Sequence, residues 1–277
     1  MATTIIPPAP TGLAHPQGVQ PLDLVDDLAA FIHRHEILGA LPDRDRQELL
    51  RWSTIRTLGE RRRIFRRGDP GRTVLVVLGG HVKLSAMTAD GREVVLEIVG
   101  PSGCFGELAV LNNCARAADA TTISQCRLLA IDGRQFLQVM SRSVEGLQAV
   151  VQLTSRRLRA TTQRVLDALA LPATARVAKA LLELAELQCQ VACDGVRIEP
   201  QMSQAELGGL TGLTRESVNK QLAALREAGL IAQSGSDVTL LDTAALGALS
   251  GVHSDPEPGS SLCRERLLTS RCVEAAA

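Results

Sequence analysis

The sequence predicts an α+β fold in which a jelly-roll-like β-roll precedes a long helix and a C-terminal winged helix-turn-helix. Three observations predict it. Short Val- and Leu-rich strands alternate with turn residues between about 61 and 132, a heptad repeat follows, and two short capped helices lie beyond Pro172. The predicted parts are a flexible arm at 1–20, the β-roll domain at 21–133, the long helix at 134–170, the helix-turn-helix domain at 171–250 and a disordered tail at 251–277.

The composition is that of an ordinary globular protein. Thirty basic and 30 acidic side chains give no formal net charge, so charge alone does not indicate a nucleic-acid partner. The N-terminus lacks the charged start and apolar core of a signal peptide, and no apolar run reaches the ~18 residues that cross a bilayer. Seven cysteines without a C-x-x-C pair indicate reduced thiols. We therefore expect a cytoplasmic protein without a membrane partner.

Local patterns predict the elements of the first domain. Residues 22–58 are typical of helix, and one helix is predicted to begin at Pro42 and Asp43. Its expected apolar face consists of Leu49, Leu50 and Trp52. Asp90-Gly91 predicts a two-residue hairpin turn, and "ISQCRLLAID" predicts a further strand.

A heptad pattern runs along the predicted long helix. Steps of four and three residues connect a seam made of Leu147, Val151, Thr154, Leu158, Thr161, Val165 and Ala168. Such a repeat favours a homodimeric coiled coil, and the alternative is a surface helix packed on its own domain. Four arginines, Arg156, Arg157, Arg159 and Arg164, lie off the seam. The two threonines weaken apolar pairing and make sense if a polar group is contacted from there.

The C-terminal domain carries helix-turn-helix signals. Ser203 and Glu206 have the spacing of a capping box, and Thr214 is placed to cap the next helix. That helix buries a stripe of Val218, Leu222 and Leu225. Gly229 is expected to close it, and "LIAQ", "SGSD" and "VTLL" then predict a two-stranded wing.

The chemistry of the second helix suits DNA. Arginine can donate two hydrogen bonds to guanine and glutamate can accept one from cytosine, while hydroxyls and helix N-termini bind phosphates. The predicted double-stranded DNA contacts are Ser203, Thr214, Arg215, Glu216, Ser217, Asn219 and Lys220. A purely structural trihelical unit is the alternative, and it is favoured by six Lys and Arg against nine Asp and Glu in 171–250, a net charge of −3.

The stretch "GCFGELAVLNNCARAADATT" poses a separate question. Glu107 and Arg116 stand nine positions apart in a mostly small, apolar segment, and they either pair with each other or each bind something else. This stretch also carries a family resemblance. "FGELAVLNNCAR" is similar to the phosphate-binding cassette, and "LTRESVNKQL" to the recognition helix, of the cyclic-AMP receptor protein/Fnr (Crp/Fnr) family of bacterial transcription regulators. "RRGDPGRTVLVVLGGHVKL" resembles the first strands, and the likeness spans about 22–245.

The resemblance implies a cyclic-nucleotide-binding sensor domain and a role for each matching residue. It implies that Glu107 holds the ribose 2′-hydroxyl, that Arg116 pairs with the cyclic phosphate and that Gly106 lets the backbone approach. Thr161 and Thr162 would touch adenine, one from each subunit. The implied ligand-binding set is Gly106, Glu107, Leu108, Arg116, Ala117, Thr161 and Thr162. Cyclic AMP is the implied regulatory ligand, with no other cofactor required and RNA polymerase as a further partner.

The sequence departs from the family pattern at three places. Ala117 stands where the family has Ser or Thr, which removes a hydrogen bond worth ~1 kcal/mol and should weaken nucleotide affinity without abolishing it. Asn113-Cys114-Ala115 replaces Gly-Gly-Pro, so the turn lacks the glycines that give the family its backbone freedom there. Lys220 replaces the third base-reading arginine, so a TGTGA-like half-site is a loose expectation.

Other interpretations stay open within the same family. One is an effector-independent regulator with a drifted cassette, and another is a redox- or gas-responsive member. Cys104 and Cys114 flank the cassette as candidate redox switches, and His81 is a candidate haem ligand. An iron–sulfur cluster is disfavoured because the first cysteine is Cys104. His33 and His35 do not share a helix face and are expected in solvent. Without a nucleophile–base set, metal triad or Walker-type loop, we expect neither an enzyme nor a metal site.

Overall fold

The computed structural model describes residues 25–187, 191–192, 195–198, 202–234 and 237–251. The predicted N-terminal arm and all but the first residue of the predicted tail lie outside these ranges. The helices in chain order are α1 (Val25–Arg34), α2 (Glu36–Ala40), α3 (Asp43–Arg51), α4 (Glu107–Leu111), α5 (Gly133–Met140), α6 (Val144–Ala170), α7 (Ala173–Glu186), α8 (Gln204–Thr211), α9 (Arg215–Glu227) and α10 (Thr243–Leu249).

The strands form three antiparallel sheets, two of which face each other in the β-roll. The roll sheets have the orders β1-β8-β3-β6 and β2-β7-β4-β5, and the third sheet has the order β11-β12-β10-β9. The strands in chain order are β1 (Ser53–Leu58), β2 (Arg63–Phe65), β3 (Thr73–Gly79), β4 (Val82–Met87), β5 (Glu93–Val99), β6 (Cys104–Phe105), β7 (Asp119–Thr122), β8 (Cys126–Asp132), β9 (Val191–Ala192), β10 (Gly195–Arg197), β11 (Ile231–Ser234) and β12 (Asp237–Leu240). The predicted jelly-roll-like β-roll is confirmed.

The central residues of strand β3, Val74–Val77, are all apolar because both faces of the strand are buried. Val74 and Val76 pack in the cluster formed with the N-terminal helices, whereas Leu75 and Val77 pack between the two roll sheets. Successive side chains of a strand point to opposite faces, so a strand that is buried on both sides needs apolar residues at every position. The run therefore places β3 at the centre of the domain.

The Asp90-Gly91 hairpin exists, but its turn is longer than predicted. Thr88 N donates to Arg92 O at 2.9 Å and Gly91 N donates to Thr88 O at 3.0 Å. Gly91 has a φ of 80°. This is a three-residue loop that ends in a left-handed glycine, one of the common alternatives to a two-residue turn. The prediction of a two-residue turn was wrong.

The helical prediction for 22–58 was also too long. Helix α3 begins at Asp43 as expected and buries Leu49, but the chain leaves the helix at Trp52, whose surface is 57% exposed. Ser53–Leu58 form β1, which pairs antiparallel with β8. The β-branched residues of "STIRTL" favour this strand once β8 offers a free edge.

His35 is buried, contrary to the expected solvent position, while His33 is exposed. The Nδ1 of His35 accepts hydrogen bonds from the backbone N–H groups of Ile37 at 3.2 Å and Leu38 at 3.1 Å. It thereby caps α2, which packs against α6. Capping gives Nδ1 its partners inside the core, whereas Nε2 is buried without a hydrogen-bond partner among the described residues.

The predicted long helix at 134–170 is two helices. Helix α5 ends at Met140 and α6 begins at Val144, after Ser143 caps it by accepting from Gly146 N at 3.0 Å. Phe136, Val139 and Met140 hold α5 on the roll, so the chain must turn before α6 can leave it. Along α6 the larger apolar seam side chains are strongly exposed in the single chain: Leu147 49%, Val151 57%, Leu158 69% and Val165 55%.

The helix-turn-helix forms as predicted. Ser203 and Glu206 make a complete capping box, and Thr214 Oγ1 accepts from Ser217 N at 3.2 Å. Helix α8 ends at Gly212, whose φ of 68° closes the turn. The buried stripe of α9 consists of Val218, Leu222 and Leu225.

The predicted wing is present and belongs to a larger sheet. Strands β11 and β12 form the expected hairpin, and β10 and β9 extend it to four strands, which the sequence did not predict. Helix α7 spans Ala173–Glu186. One apolar core joins Val95, Ile98 and Ile123 of the β-roll with residues of α7, α8 and α9, so the two domains share buried surface.

Candidate ligand pocket and DNA interface

A cavity of about 550 Å³ lies between the β-roll and α6. Its volume is in the range of small-molecule sites. Six of the seven predicted ligand-binding residues line it: Gly106, Glu107, Leu108, Arg116, Ala117 and Thr161. The structure thus brings residues from the cassette and from a helix more than forty positions away to one enclosure.

Arg116 is held by backbone and hydroxyl oxygens. Its Nη1 donates to Gly106 O at 2.7 Å, and its Nη2 donates to Thr73 O at 2.9 Å and to Thr73 Oγ1 at 3.0 Å. The guanidinium carbon lies 4.2 Å from the centroid of the Phe65 ring. Burial lowers the pKa of Arg116, although the carboxylates of Glu107 and Asp69 oppose the shift. Arg116 Nε is buried and has no hydrogen-bond partner among the described residues.

Gly106 is required by the way Arg116 is held. The glycine has a φ of 81° and caps α4. A Cβ at this position would collide with Nη1 of Arg116 and would come within 3.2 Å of Thr73 O. Glycine is therefore the residue that allows both the left-handed backbone and the close approach of the guanidinium.

Glu107 is paired with α6. The carboxylate is almost fully buried, with 1% of the residue surface exposed, and its Oε1 lies 2.5 Å from Nη1 of Arg157. Its Oε2 is buried without a partner among the described residues. The cassette acid and base are therefore held apart, which resolves the alternative that the sequence left open.

Arg157 is the site residue that sequence reasoning missed. Besides Glu107, its Nη2 donates to Cys104 O, and its Nε lies 2.9 Å from Glu97 Oε2 on β5. Burial by itself lowers the pKa of Arg157, but Glu97 and Glu107 outweigh it and raise that pKa. Burial raises the pKa of Glu97, and Arg157 opposes this. The available signal was its position four residues before Thr161, on the same helix face.

The two predicted adenine-contacting threonines separate. Thr161 lines the cavity, and its hydroxyl donates to Arg157 O at 2.8 Å. Thr162 does not line this cavity; it is exposed, and its hydroxyl donates to Leu158 O at 2.9 Å. Adjacent helix positions are about 100° apart, so one α6 presents only one of the two to its own pocket.

The departures from the cassette pattern have clear geometry. Asn113 takes a φ of 46°, a left-handed conformation that asparagine tolerates, so the turn forms without the family glycines.

Cys114 is exposed, whereas Cys104 is buried and burial raises the pKa of its thiol. A raised thiol pKa disfavours the reactive thiolate, which weighs against Cys104 as a redox switch. No cluster of three metal-ligating side chains occurs within the described part of the chain.

The predicted DNA-contacting residues lie on the first two turns of α9 and at the caps of α8 and α9. The exposed ones are Ser203, Thr214, Arg215, Glu216, Asn219 and Lys220, and Ser217 is half-buried. Asn219 Oδ1 accepts from Gln204 Nε2 at 3.2 Å, which links the two helices of the motif. The N-terminal part of α9 is therefore free to contact base edges.

Two family models match the chain. The cyclic nucleotide-binding domain matches residues 55–143, and the Crp-like helix-turn-helix domain matches residues 175–249. The CRP-like cAMP-activated global transcriptional regulator of Mycobacterium tuberculosis is 33% identical over 183 residues, which is 66% of this chain and 82% of the relative. The chain belongs to the Crp/Fnr family of transcription regulators.

Other comparisons agree with a Crp/Fnr regulator. The cyclic AMP receptor protein of Thermus thermophilus is 32% identical over 66% of this chain and 82% of the relative. The solved c-di-GMP responsive global regulator CLP of Xanthomonas campestris has a TM-score of 0.64 at 28% identity, covering 73% of this chain and all of CLP. A solved CRP-family transcriptional regulator, also from Thermus thermophilus, has a TM-score of 0.62 at 29% identity, covering 71% of this chain and 96% of its own.

This Crp/Fnr regulator is thus a DNA-binding transcription regulator with a cyclic nucleotide-binding domain. The first matched region contains Glu107 and Arg116, and the second contains α8 and α9. No helix within the described ranges is both long enough and apolar enough to cross a membrane.

Proposed function

We propose that this regulator is a homodimer whose sequence-specific DNA binding is controlled by cyclic AMP bound between the cassette and α6. One observation carries the proposal. Glu107 Oε2 and Arg116 Nε belong to cavity-lining residues and are buried without partners in the described structure. A buried polar group left unsatisfied costs about 1–3 kcal/mol, more when charged, and a ligand with hydroxyl and phosphate groups would relieve both costs.

The polarity of the cavity orients the ligand. Glu107 accepts from the ribose 2′-hydroxyl, because a carboxylate accepts hydrogen bonds and repels phosphate. Arg116 pairs with the cyclic phosphate, and Gly106 and Leu108 bring the backbone close. Ala117 supplies no hydroxyl to the phosphate, so affinity is moderate. The cAMP-activated relative in Mycobacterium tuberculosis supports the choice of nucleotide.

The exposed seam of α6 supports the homodimer. Leu147, Val151, Leu158 and Val165 present apolar surface at heptad spacing, and a second copy of α6 would bury it. In such a pair Thr162, which points away from its own cavity, faces the cavity of the partner. Thr161 and Thr162 from the two subunits then enclose the base.

The proposed sequence-specific DNA binding depends on the side chains of α9. Arg215 donates to guanine, Glu216 accepts from cytosine, and Lys220 adds a contact without the planar geometry of arginine. Ser203, Thr214, Ser217 and Asn219 bind phosphates or neighbouring bases. Promoter DNA and RNA polymerase are the partners of such a regulator. The ligand changes DNA affinity only by favouring one arrangement of the dimer over another.

The deciding experiment is calorimetric titration of the folded chain with cyclic AMP, cyclic GMP and cyclic di-GMP. We expect saturable binding of cyclic AMP with one site per chain, and tighter operator binding in its presence. Binding of cyclic di-GMP alone would assign another ligand. No binding of any of the three would reject nucleotide control and favour an effector-independent or redox- or gas-responsive regulator.

A further inference from the structure

An ion cluster around one buried lysine connects the β-roll to the DNA-binding domain. Lys83 lies on β4 with its side chain only 9% exposed, and its Nζ is 2.8 Å from Glu206 Oε1 and 3.0 Å from Glu93 Oε2. Glu93 belongs to the neighbouring strand β5, whereas Glu206 belongs to α8, the first helix of the helix-turn-helix. The lysine therefore joins the two domains through a partner, Glu206, that lies 123 positions away in sequence.

The two carboxylate oxygens of Glu206 bind different partners. Oε2 accepts from the backbone N–H of Ser203 at 3.0 Å, which completes the capping box of α8. Oε1 binds Lys83. One side chain thus fixes both the beginning of α8 and its attachment to the β-roll. The residue type allows a clean test, because glutamine also serves at this position of a capping box.

Beneath the ion cluster, the backbone of α8 packs closely against β5 at Gly209. A Cβ on Gly209 of α8 would come within 2.9 Å of Glu93 O and 3.0 Å of Val95 Cγ2. Val95 is buried in the same apolar core as Leu207 of α8. The missing side chain at Gly209 therefore allows α8 to pack directly against β5. The ion cluster lies at the edge of this packed interface.

Mutual pairing keeps Lys83 and Glu206 charged near neutral pH. Burial lowers the pKa of Lys83, but Glu206 and Glu93 outweigh it and raise that pKa. Burial raises the pKa of Glu206, but Lys83 and Ser203 outweigh it and lower that pKa. Removing one partner of a buried ion pair leaves an uncompensated charge, so either single substitution should loosen the contact.

We propose that Lys83 and Glu206 determine the half-site spacing that this regulator accepts, because their ion pair fixes each helix-turn-helix on its β-roll. The inference rests on the proposed homodimer. Two DNA-binding modules that are rigidly held bind most tightly when the half-sites match their separation, about one helical turn or 10 bp. A loosened attachment lowers the affinity at the matched spacing and spreads binding over other spacings.

The test compares Lys83→Met and Glu206→Gln with wild type. Methionine keeps the long apolar stem of Lys83, and glutamine keeps the capping box; Glu60→Gln, an exposed change on the β-roll, is the control. A half-site is first selected from a random DNA library with wild-type protein. Fluorescence anisotropy then measures affinity for duplexes whose half-site centres are about 8 to 13 bp apart, and for a single half-site.

We expect both variants to lose about tenfold in affinity at the optimal spacing and less elsewhere, with single half-site affinity within about twofold of wild type. Thermal unfolding checks that the variants are folded. A spacing profile unchanged from wild type overturns the inference, and so does an equal loss on every duplex. Failure of the proposed function can be told apart from failure of this inference, because it shows in the wild-type protein. That protein would then sediment as a monomer or would bind no nucleotide.

Discussion

Glu107 Oε1 lies 2.5 Å from Nη1 of Arg157, which joins the buried carboxylate of the cassette to α6. The same arginine lies 2.9 Å from Glu97 on β5. Three elements thus meet at one guanidinium. A ligand hydroxyl that binds Glu107 has to share this carboxylate with Arg157, so ligand binding and the position of α6 are physically connected.

Arg157→Met should destabilise the fold by about 3 kcal/mol, because it leaves two carboxylates in a largely buried site without their cation. Urea unfolding measures the loss, and Arg159→Met, an exposed arginine on the same helix, is the control. Adding Glu107→Gln to Arg157→Met should recover part of the loss, since it removes one uncompensated charge. Equal stability of Arg157→Met and Arg159→Met would contradict the assigned role.

Ala117→Ser and Arg116→Met should change cyclic AMP affinity in opposite directions. The serine restores one hydrogen bond to the phosphate and should tighten binding about fivefold, corresponding to ~1 kcal/mol. Loss of the charged partner should weaken binding at least about tenfold. Calorimetry measures both, with unfolding curves as the check on Arg116→Met. Wild-type affinity in the methionine variant would mean that Arg116 does not hold the phosphate.

His35 should make stability depend on pH. Burial lowers its pKa from 6.5 to about 4, partly offset by Glu36. As pH falls below 6.5, the imidazole of His35 becomes protonated in the unfolded chain before it does in the folded chain. The contribution of neutral His35 to the free energy of unfolding is therefore full above pH 6.5 and is lost as the pH falls toward 4. The loss is on the order of 3 kcal/mol. His35→Asn keeps an N-cap but does not titrate, and its unfolding free energy should fall less over this window.

Leu158→Glu should convert the proposed homodimer to a monomer. Leu158 is 69% exposed in the single chain and lies in the middle of the heptad seam, where a second copy of α6 would place two carboxylates together. Leu249→Glu is the matched control, because Leu249 is 43% exposed but lies on α10, away from the seam. Analytical ultracentrifugation distinguishes the two states. A dimeric Leu158→Glu protein would place the interface elsewhere.

Arg215→Ala should relax the base preference at one position of the half-site and cost about 1–3 kcal/mol there. Arg226→Ala, near the C-terminal end of α9, removes the same charge far from the reading end and should leave the preference unchanged. Anisotropy with singly substituted operators measures both. A uniform loss over all operators for Arg215→Ala would indicate a phosphate contact instead of base readout.

Local patterns determined much of this protein. Ser203, Glu206 and Thr214 cap helices through neighbours within three residues, and the stripe from Val218 to Leu225 follows helical period, so the helix-turn-helix was predictable residue by residue. The cassette was found because Gly106 and Glu107 precede Arg116 at a family spacing, and a Cβ on this glycine would collide with Arg116 of the same segment.

Tertiary structure decided what joins these parts. Arg157 meets Glu107 across 50 positions and Lys83 meets Glu206 across 123, and no local periodicity encodes such pairs. The break before Val144 and the burial of His35 also depend on packing, because α5 has to stay on the roll and α2 has to lie against α6. Short-range hydrogen bonds and periodic burial are therefore readable from sequence, whereas the partners of buried charges are fixed only when distant elements pack together.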